Sequence, residues 1–349
     1  MSHALNVAIV GGGPVGLTLA VILQNAGHRV RIFERDAGPE VRISGGTLDL
    51  HRELGQRALH AAGLLEGFHR LARITRQRAA DPSGVVLMDE VPEAPEIDRT
   101  DLRRLALGAL AKDTVRWGRK LSALNGTELH FEDGSREEAA LVIGADGGRS
   151  RVRPHVTDVE PRETGTFVMQ GEIGRPFESA PDFAALTNGG NLMVRGRGVL
   201  FFSTTRGDGS INFYVSTRQP DAQVRELLAD WAPPFQQALT AASGLTPLPM
   251  RVVPADWQRR PDAGPVTVVG DAAHLMPPFG GVGVNIGLVN VLHLANALKS
   301  HAPVLEALRE YEREMRQLAL PAQIDTAQSE LMLHSDVPLE ELMAARDSR

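Results

Sequence analysis

The chain has 349 residues, 42% of them hydrophobic and 23% charged, with a formal net charge of −6 and no cysteine. That length holds one large domain or two modest ones, and the composition is that of an ordinary globular protein. The acidic balance speaks against nucleic acid and against an anionic membrane surface as partners. Without cysteine there are no disulfides, thiolate metal sites, cysteine nucleophiles or cofactors tethered through sulfur, and a reducing cytoplasm is the expected setting.

Residues 7–10 are an uncharged β-branched run and predict a buried parallel strand. Gly11, Gly13 and Gly16 then fit G-x-G-x-x-G, and Val15, Leu19, Ile22 and Ala26 share one face of the helix that follows, with Gly27 as its stop. Residues 30–33 predict a second strand, closed by Glu34 and Arg35. Such a glycine turn brings backbone N–H groups and a helix N-terminus up to a pyrophosphate, while the carboxylate takes ribose hydroxyls. Between a strand and a helix, with the acid at the right distance, the motif is strong evidence for a dinucleotide. The uncharged stretch 7–23 holds four glycines and a proline behind no basic segment, so neither a membrane span nor a signal sequence is expected.

In residues 42–51 the adjacent Gly45 and Gly46 fit either close backbone approach to something flat or a surface turn. One helix is expected next, with Leu54, Ala58, Ala61 and Leu65 inward and a stop near Gly67. Residues 71–95 predict strands broken by the turn Asp81-Pro82-Ser83-Gly84. Thr100 is the expected N-cap of the following helix and Asp101 suits its first turn. Arg99 and Arg103 bracket that start and fit either phosphate or ring-edge contacts or plain solvation. Residues 114–117, 127–131 and 140–143 predict strands, with a turn at Asp133-Gly134. The last delivers Asp146-Gly147 to the ligand crevice of an α/β sheet.

From Arg162 the pattern changes to two-residue alternation. Phe167, Met169 and Ile173 share one face, and Gln170 and Glu172 the other. Ile211, Phe213 and Val215 likewise oppose Asn212, Tyr214 and Ser216. A hairpin is expected over 191–204 around Gly196-Arg197-Gly198. This predicts an antiparallel sheet with one greasy and one polar face, the latter either wet or lining a cavity. Helices are expected at 222–231 and 234–242. Residues 266–269 predict a strand delivering Gly270-Asp271, followed by a proline loop and a glycine-rich helix start at 275–285. A long last helix begins near Val304, with a kink expected at Pro321. His274 has no further ligands at metal spacing, so a structural histidine and no metal site are expected.

Gly11-x-Gly13-x-x-Gly16, Asp146-Gly147 and Gly270-Asp271 together resemble the FAD-binding fingerprints of the group A flavoprotein monooxygenases. Over nearly its whole length the chain is similar to the tetracycline-inactivating flavin monooxygenases, through residues 11–18, 45–51, 164–170 and 270–279. The resemblance implies an α/β fold. A Rossmann-like FAD-binding domain would take 1–70, 96–160 and 258–302, an inserted antiparallel-sheet substrate domain 71–95 and 161–257, and a C-terminal helix 303–349.

Position by position, it implies that Gly11, Gly13, Pro14, Val15 and Gly16 meet the FAD. Glu34 would hold the adenosine ribose, with Arg35 beside the adenosine part. Arg103 would reach the diphosphate or ribityl region, Arg99 the neighbourhood of the flavin ring, and Asp271 the ribityl or pyrophosphate portion. Gly46, Asp49, Leu121, Asp146, Pro278, Gly281, Gly283, Val284 and Asn285 would complete the cofactor set. Gln170, Asn191, Phe202, Asn212, Phe279 and Gly280 would face the substrate. Asn191 and Asn212 stand where the tetracycline-inactivating relatives carry an arginine and a histidine, and Val282 and Ile286 depart from an expected glutamine and serine. A less anionic substrate than tetracycline is therefore expected.

The activity implied is hydroxylation of an aromatic or enolic polycyclic substrate by molecular oxygen, through a flavin C4a-hydroperoxide. NAD(P)H would be a transient electron donor, FAD non-covalent, and no residue a dedicated acid or base. A cytoplasmic monomer is expected. Three other readings remain open from the residues. A nicotinamide dehydrogenase leaves Gly270-Asp271 unexplained. A flavin halogenase would need a W-x-W-x-I-P signature, whereas Trp117, Trp231 and Trp257 are isolated. A flavoprotein that sequesters a drug or pigment without turnover is the third.

Overall fold

The computed structural model describes residues 4–41, 46–92, 94–219, 223–300 and 303–337. Residues 42–45, including Gly45, and residues 338–349 of the expected last helix lie outside the described residues.

The chain opens with β1 (Asn6–Val10), α1 (Pro14–Asn25), β2 (Arg29–Phe33) and β3 (Thr47–Asp49). Pro14 sits at the first turn of α1, where its missing N–H costs nothing. The single helix expected next is two, α2 (Gly55–Ala61) and α3 (Leu65–Leu71), parted at left-handed Gly63. The break shifts the inner face, so Ala62 is buried in place of Ala61, and Gly67 lies inside α3 against Leu105 instead of ending it.

Then come β4 (Arg73–Ile74), β5 (Gln77–Ala80), β6 (Val86–Glu90), β7 (Pro95–Asp98) and α4 (Arg99–Ala109). The residue that caps α4 is Asp98, not Thr100, and its side chain bonds Arg73 and the Gly207 N–H rather than the helix. Five strands follow: β8 (Val115–Arg116), β9 (Leu121–Asn125), β10 (Glu128–Phe131), β11 (Arg136–Glu138) and β12 (Leu141–Gly144). Of these, β9 and β11 were not expected; they flank β10 in a small antiparallel sheet.

The alternating region gives β13 (Arg162–Ile173), α5 (Pro176–Ser179), α6 (Pro181–Thr187), β14 (Asn191–Gly196), β15 (Val199–Thr205) and β16 (Ile211–Thr217). Arg197 and Gly198 both take positive φ, the two-residue hairpin turn that matches strand twist. Next are α7 (Val224–Leu227), shorter than expected, α8 (Pro233–Ala241) and β17 (Leu245–Val252). The chain ends with β18 (Val266–Val268), α9 (Asp271–His274), α10 (Gly283–Ser300) and α11 (Val304–Leu333), which runs unbroken through Pro321.

Four sheets result. A five-stranded parallel sheet has the order β18-β12-β1-β2-β8. From β1 the chain moves outward to β2 and later returns on the other side at β12, so a crevice opens at the carboxyl ends of β1 and β12. A seven-stranded sheet has the order β17-β13-β16-β15-β14-β5-β6, and the three strands β3-β7-β4 form a small sheet. One face of the seven-stranded sheet packs on α6 and α8 through Phe183, Phe201, Phe213, Trp231 and Phe235. Phe201 and Phe213 stack there with centroids 5.3 Å apart. Phe167, expected on this face, keeps its register with Met169 and Ile173 but is 54% exposed. The fold is thus a Rossmann-like unit with an inserted, mainly antiparallel sheet and a long C-terminal helix. Among the described residues no helix is long and apolar enough to cross a membrane.

Candidate active site

The glycine turn is held by backbone packing. A Cβ on Gly11 would lie 2.4 Å from the Ala145 carbonyl oxygen, and one on Gly16 would lie 2.3 Å from that of Gly11. Val15 bridges to the third fingerprint: a Cβ on Gly270 or on Gly287 would meet its methyl groups at 3.3 and 2.9 Å. Gly13 is different, since nothing lies within 4 Å of its Cβ position. The space in front of the α1 N-terminus is therefore open, and a phosphate there meets bare N–H groups and the positive end of the helix dipole.

At the end of β2, buried Glu34 accepts from the N–H of Gly12 at 2.5 Å and of Asp36 at 2.9 Å. Arg35 beside it is exposed. Arg103 is buried, with both terminal nitrogens 3.1 Å from Asp36 Oδ2 and its guanidinium 5.1 Å from the centre of the Trp117 ring. Leu121 is buried in the core at 4% exposure, which leaves only its backbone to meet a ligand. Asp146 accepts from Ser150 and from the Arg151 N–H, so it ties its own turn; burial raises its carboxyl above the usual range.

Asp271 opens α9, exposed on the crevice but hemmed in by protein, which raises its carboxyl while His274 and Arg99 pull it back. His274 is fully buried and bonds Asn290. Trp257 donates to the Ala273 carbonyl at 2.8 Å behind the same turn. Arg99 donates to the Gly46 carbonyl at 3.2 Å, which brings Gly46, Arg99 and Asp271 to one region. The Asn285 side chain is spent within the protein: it accepts from the N–H of His51 and Gly55 and donates to the Asp49 carbonyl. Only its backbone is left for a ligand. Asp49 pairs with His51 at 3.2 Å, and burial raises its carboxyl. Pro278 and Gly281 are exposed, and Gly283 and Val284 half-buried, around the α10 N-terminus. A Cβ on Gly280 would meet Thr326 of α11 at 2.4 Å.

The second face of the seven-stranded sheet carries the substrate candidates in three rows that run across the strands. In the first, Glu172, Asn212, Thr204, Asn191 and Gln77 stand opposite one another on β13, β16, β15, β14 and β5. The second holds Gln170, Tyr214, Phe202 and Met193, and the third Val168, Ser216, Leu200 and Arg195. The first row is roofed. Glu96 of β7 accepts from Asn191 at 2.7 Å and Gln77 at 2.9 Å, and Gly46 sits so close to Thr204 that a Cβ would come within 2.5 Å of its hydroxyl. The third row is roofed by the end of α11. Arg195 bonds the carbonyls of Met332, Leu333, Ser335 and Val337, and Ser216 bonds His334, whose ring meets Phe279 edge-on at 5.0 Å.

Between the two roofs the second row is half-exposed at every position. Gln170 Nε2 donates to Asn212 Oδ1 at 2.7 Å, and the Tyr214 hydroxyl accepts from the Gly46 N–H at 3.1 Å. Cations of this face are engaged: Arg206 pairs with Glu172 at 3.1 Å, and Arg195 with the helix end. Asn191 Oδ1, Thr204 Oγ1 and Asn212 Nδ2 are buried without a hydrogen-bond partner among the described residues.

Residues 4–322 match the family described as FAD binding domain. The chain belongs to that family. It is an FAD-dependent monooxygenase. The monooxygenase penA of Penicillium thymicola is 29% identical over 364 residues, covering 84% of each chain. The 3-amino-4-hydroxybenzoate 2-monooxygenase of Streptomyces cremeus is 29% identical over 333 residues, covering 88% of this chain and 82% of its own. Among solved structures, tetracycline destructase Tet(55) superposes with a TM-score of 0.81 at 19% identity, over 100% of this chain and 95% of that one. Klebsiella pneumoniae HpxO complexed with FAD and uric acid gives 0.78 at 20%, over 98% and 91%.

The crevice of this flavoprotein fits the cofactor on its own geometry, through the open space at Gly13, the Glu34 carboxylate and the glycines before α10. Sequence reasoning passed over Glu96, Thr204 and the Tyr214–Gly46 contact. Tyr214 and Thr204 carried a signal, the same two-residue parity as Asn212; Glu96 carried none.

Proposed function

We propose that this monooxygenase holds FAD along the crevice from Glu34 through Gly13 to Asp271 and the α10 N-terminus, and takes its substrate in the lane between the two roofed rows. The lane carries the reading: four half-exposed side chains in register, Gln170 and Tyr214 polar, Phe202 and Met193 apolar, beside Gly46 and Arg99. Bound FAD supplies electron transfer and oxygen activation. The chain's own residues orient the ring and keep water out. Gln170 and the Tyr214 hydroxyl offer neutral hydrogen bonds, and Phe202 and Phe279 offer apolar walls.

Arg206 and Arg195 on this face are tied to Glu172 and to the end of α11, and Arg99 stands at the Gly46 end of the lane. The fitting substrate is an electron-rich aromatic or enolic ring, with NAD(P)H as the donor that visits without a nucleotide fold of its own. Among the relatives, one is named an FAD-dependent urate hydroxylase and another a probable 2-heptyl-3-hydroxy-4(1H)-quinolone synthase, and both names carry a flat ring. The chain is expected to work as a monomer in a reducing cytoplasm, consistent with its lack of cysteine. NAD(P)H oxidation should be slow alone and rise with an accepted phenol or enol, and one product oxygen should come from labelled O2. Oxygen taken from water would contradict the reading.

A further inference from the structure

Gly46 joins the two walls of the site through its own backbone. The antiparallel pairing of Thr47 with Asp98 sets it beside Arg99, the first residue of α4. Its carbonyl accepts from Arg99 Nε at 3.2 Å, and its N–H donates to the Tyr214 hydroxyl at 3.1 Å. A Cβ there would come within 2.5 Å of the Thr204 hydroxyl, so glycine is the residue that can lie this close to the sheet. The main chain of Arg99 is anchored separately, because Asp98 before it is held by Arg73 at 2.9 Å and by the Gly207 N–H at 3.0 Å. The side chain has one tie, at Nε. Among the described residues nothing bonds its two terminal nitrogens, and its charge acts on Asp271 at the start of α9. A long guanidinium side chain stays in one rotamer only where something holds it. Here that something is a carbonyl whose own residue is held by Tyr214. The tyrosine accepts in this contact, so its O–H proton remains free to donate.

Resting on the reading of the crevice as the FAD site, we propose that Tyr214 is a positioning residue for Arg99: through Gly46 it sets where the guanidinium stands beside the bound flavin. A cation fixed there favours the reduced, more negative flavin over the oxidised one. A tyrosine of the substrate lane thereby helps set how readily the cofactor is reduced, while its proton still serves a ring in the lane.

The test is the equilibrium in which reduced safranin passes two electrons to the flavin of the FAD-loaded enzyme, measured without substrate. Arg99→Gln should lower the reduced-to-oxidised flavin ratio at a fixed dye ratio by about 10-fold or more, the worth of a charge-assisted contact. Tyr214→Phe, which keeps the ring and removes the acceptor, should lower it by about 3- to 12-fold, the worth of one neutral hydrogen bond. The double variant should match Arg99→Gln alone, because the tyrosine acts through the guanidinium. A tyrosine that only packs, or only touches substrate, leaves this ratio where it is. A ratio unchanged in Tyr214→Phe, or losses that add in the double variant, overturns the positioning role. If Arg99→Gln still lowers the ratio in that case, the crevice stands as the FAD site. If Arg99→Gln leaves the ratio unchanged, the proposal falls, and an FAD dissociation constant also unchanged in that variant overturns the placement of the flavin beside Arg99 as well.

Discussion

The two walls of the crevice are made of different material. The parallel-sheet wall is backbone: Gly11, Gly16 and Gly287 are where they are because a single methyl would strike the Ala145 carbonyl, the Gly11 carbonyl or Val15. The antiparallel wall is side chains in register, with the amides of one row bonded across to Glu96 and the next row left half-open, tied only where Tyr214 accepts from the Gly46 N–H. A backbone wall can recognise what all its ligands share, a pyrophosphate and a ring edge, and tolerates no substitution. A side-chain wall can be rewritten position by position, which is how one fold serves many substrates.

The sharpest way to break this comparison is inside the glycine turn itself. Gly11→Ala forces a side chain onto a φ of 108° and into a carbonyl oxygen, and should cost about 3 kcal/mol or more. Little folded protein is expected. Gly13→Ala should fold with the melting temperature of the wild-type apoprotein and lose FAD affinity by about 10- to 150-fold, one charge-assisted hydrogen bond. If Gly13→Ala binds FAD normally, the open space there is not the phosphate site. Next in size, Asp271→Asn should weaken FAD by a similar factor, roughly 10-fold or more. An unchanged dissociation constant would mean that Asp271 only opens α9.

On the other wall, Gln170→Ala should leave FAD content untouched and raise KM by roughly 3- to 12-fold, the worth of one neutral hydrogen bond. A parallel loss of FAD would show that the walls are not independent.

The smallest effect concerns Glu96, whose carboxyl is raised above its usual value first by burial, with Asp49 adding to the shift. A carboxyl raised in the native state favours folding fully only below its unfolded value, and that contribution is lost as pH climbs through the native one. Glu96→Gln should therefore match or exceed the wild type in melting temperature at pH 8. The gap should close as pH falls towards about 4.3, the unfolded value. A gap that widens on acidification would mean that the donors Thr47, Gln77 and Asn191 outweigh burial.

What could be read in the sequence follows the same division. Gly11, Gly13, Gly16 and Gly270 announce themselves because a backbone requirement leaves one residue type. The shared face of Gln170 and Asn212 was legible from a period of two, since register only had to preserve parity, whereas Phe202 joins that face through the pairing of β15 with β16. What parity cannot say is which row another sheet will roof. Asn191 reads as a substrate contact but lies under β7 at 4% exposure, its amide given to Glu96. Asn285 reads as a cofactor amide at a helix start, yet it stitches α10 to the segment after β3, more than 200 residues away in the chain. Phe167 keeps its place in the alternation and is exposed all the same. These are facts about distant partners, and a local pattern holds no trace of them.

The placement of the three tryptophans has a spectroscopic consequence. Trp257 lies in the core of the parallel-sheet unit, behind the turn that carries Asp271, and Trp231 in the aromatic core beneath the seven-stranded sheet. Trp117, half-buried under Arg103, marks the Glu34 end of the crevice. Each indole thus reports one part of the molecule by its own emission. Replacing two at a time would let fluorescence distinguish whether the parts melt together, and which of them a bound flavin quenches.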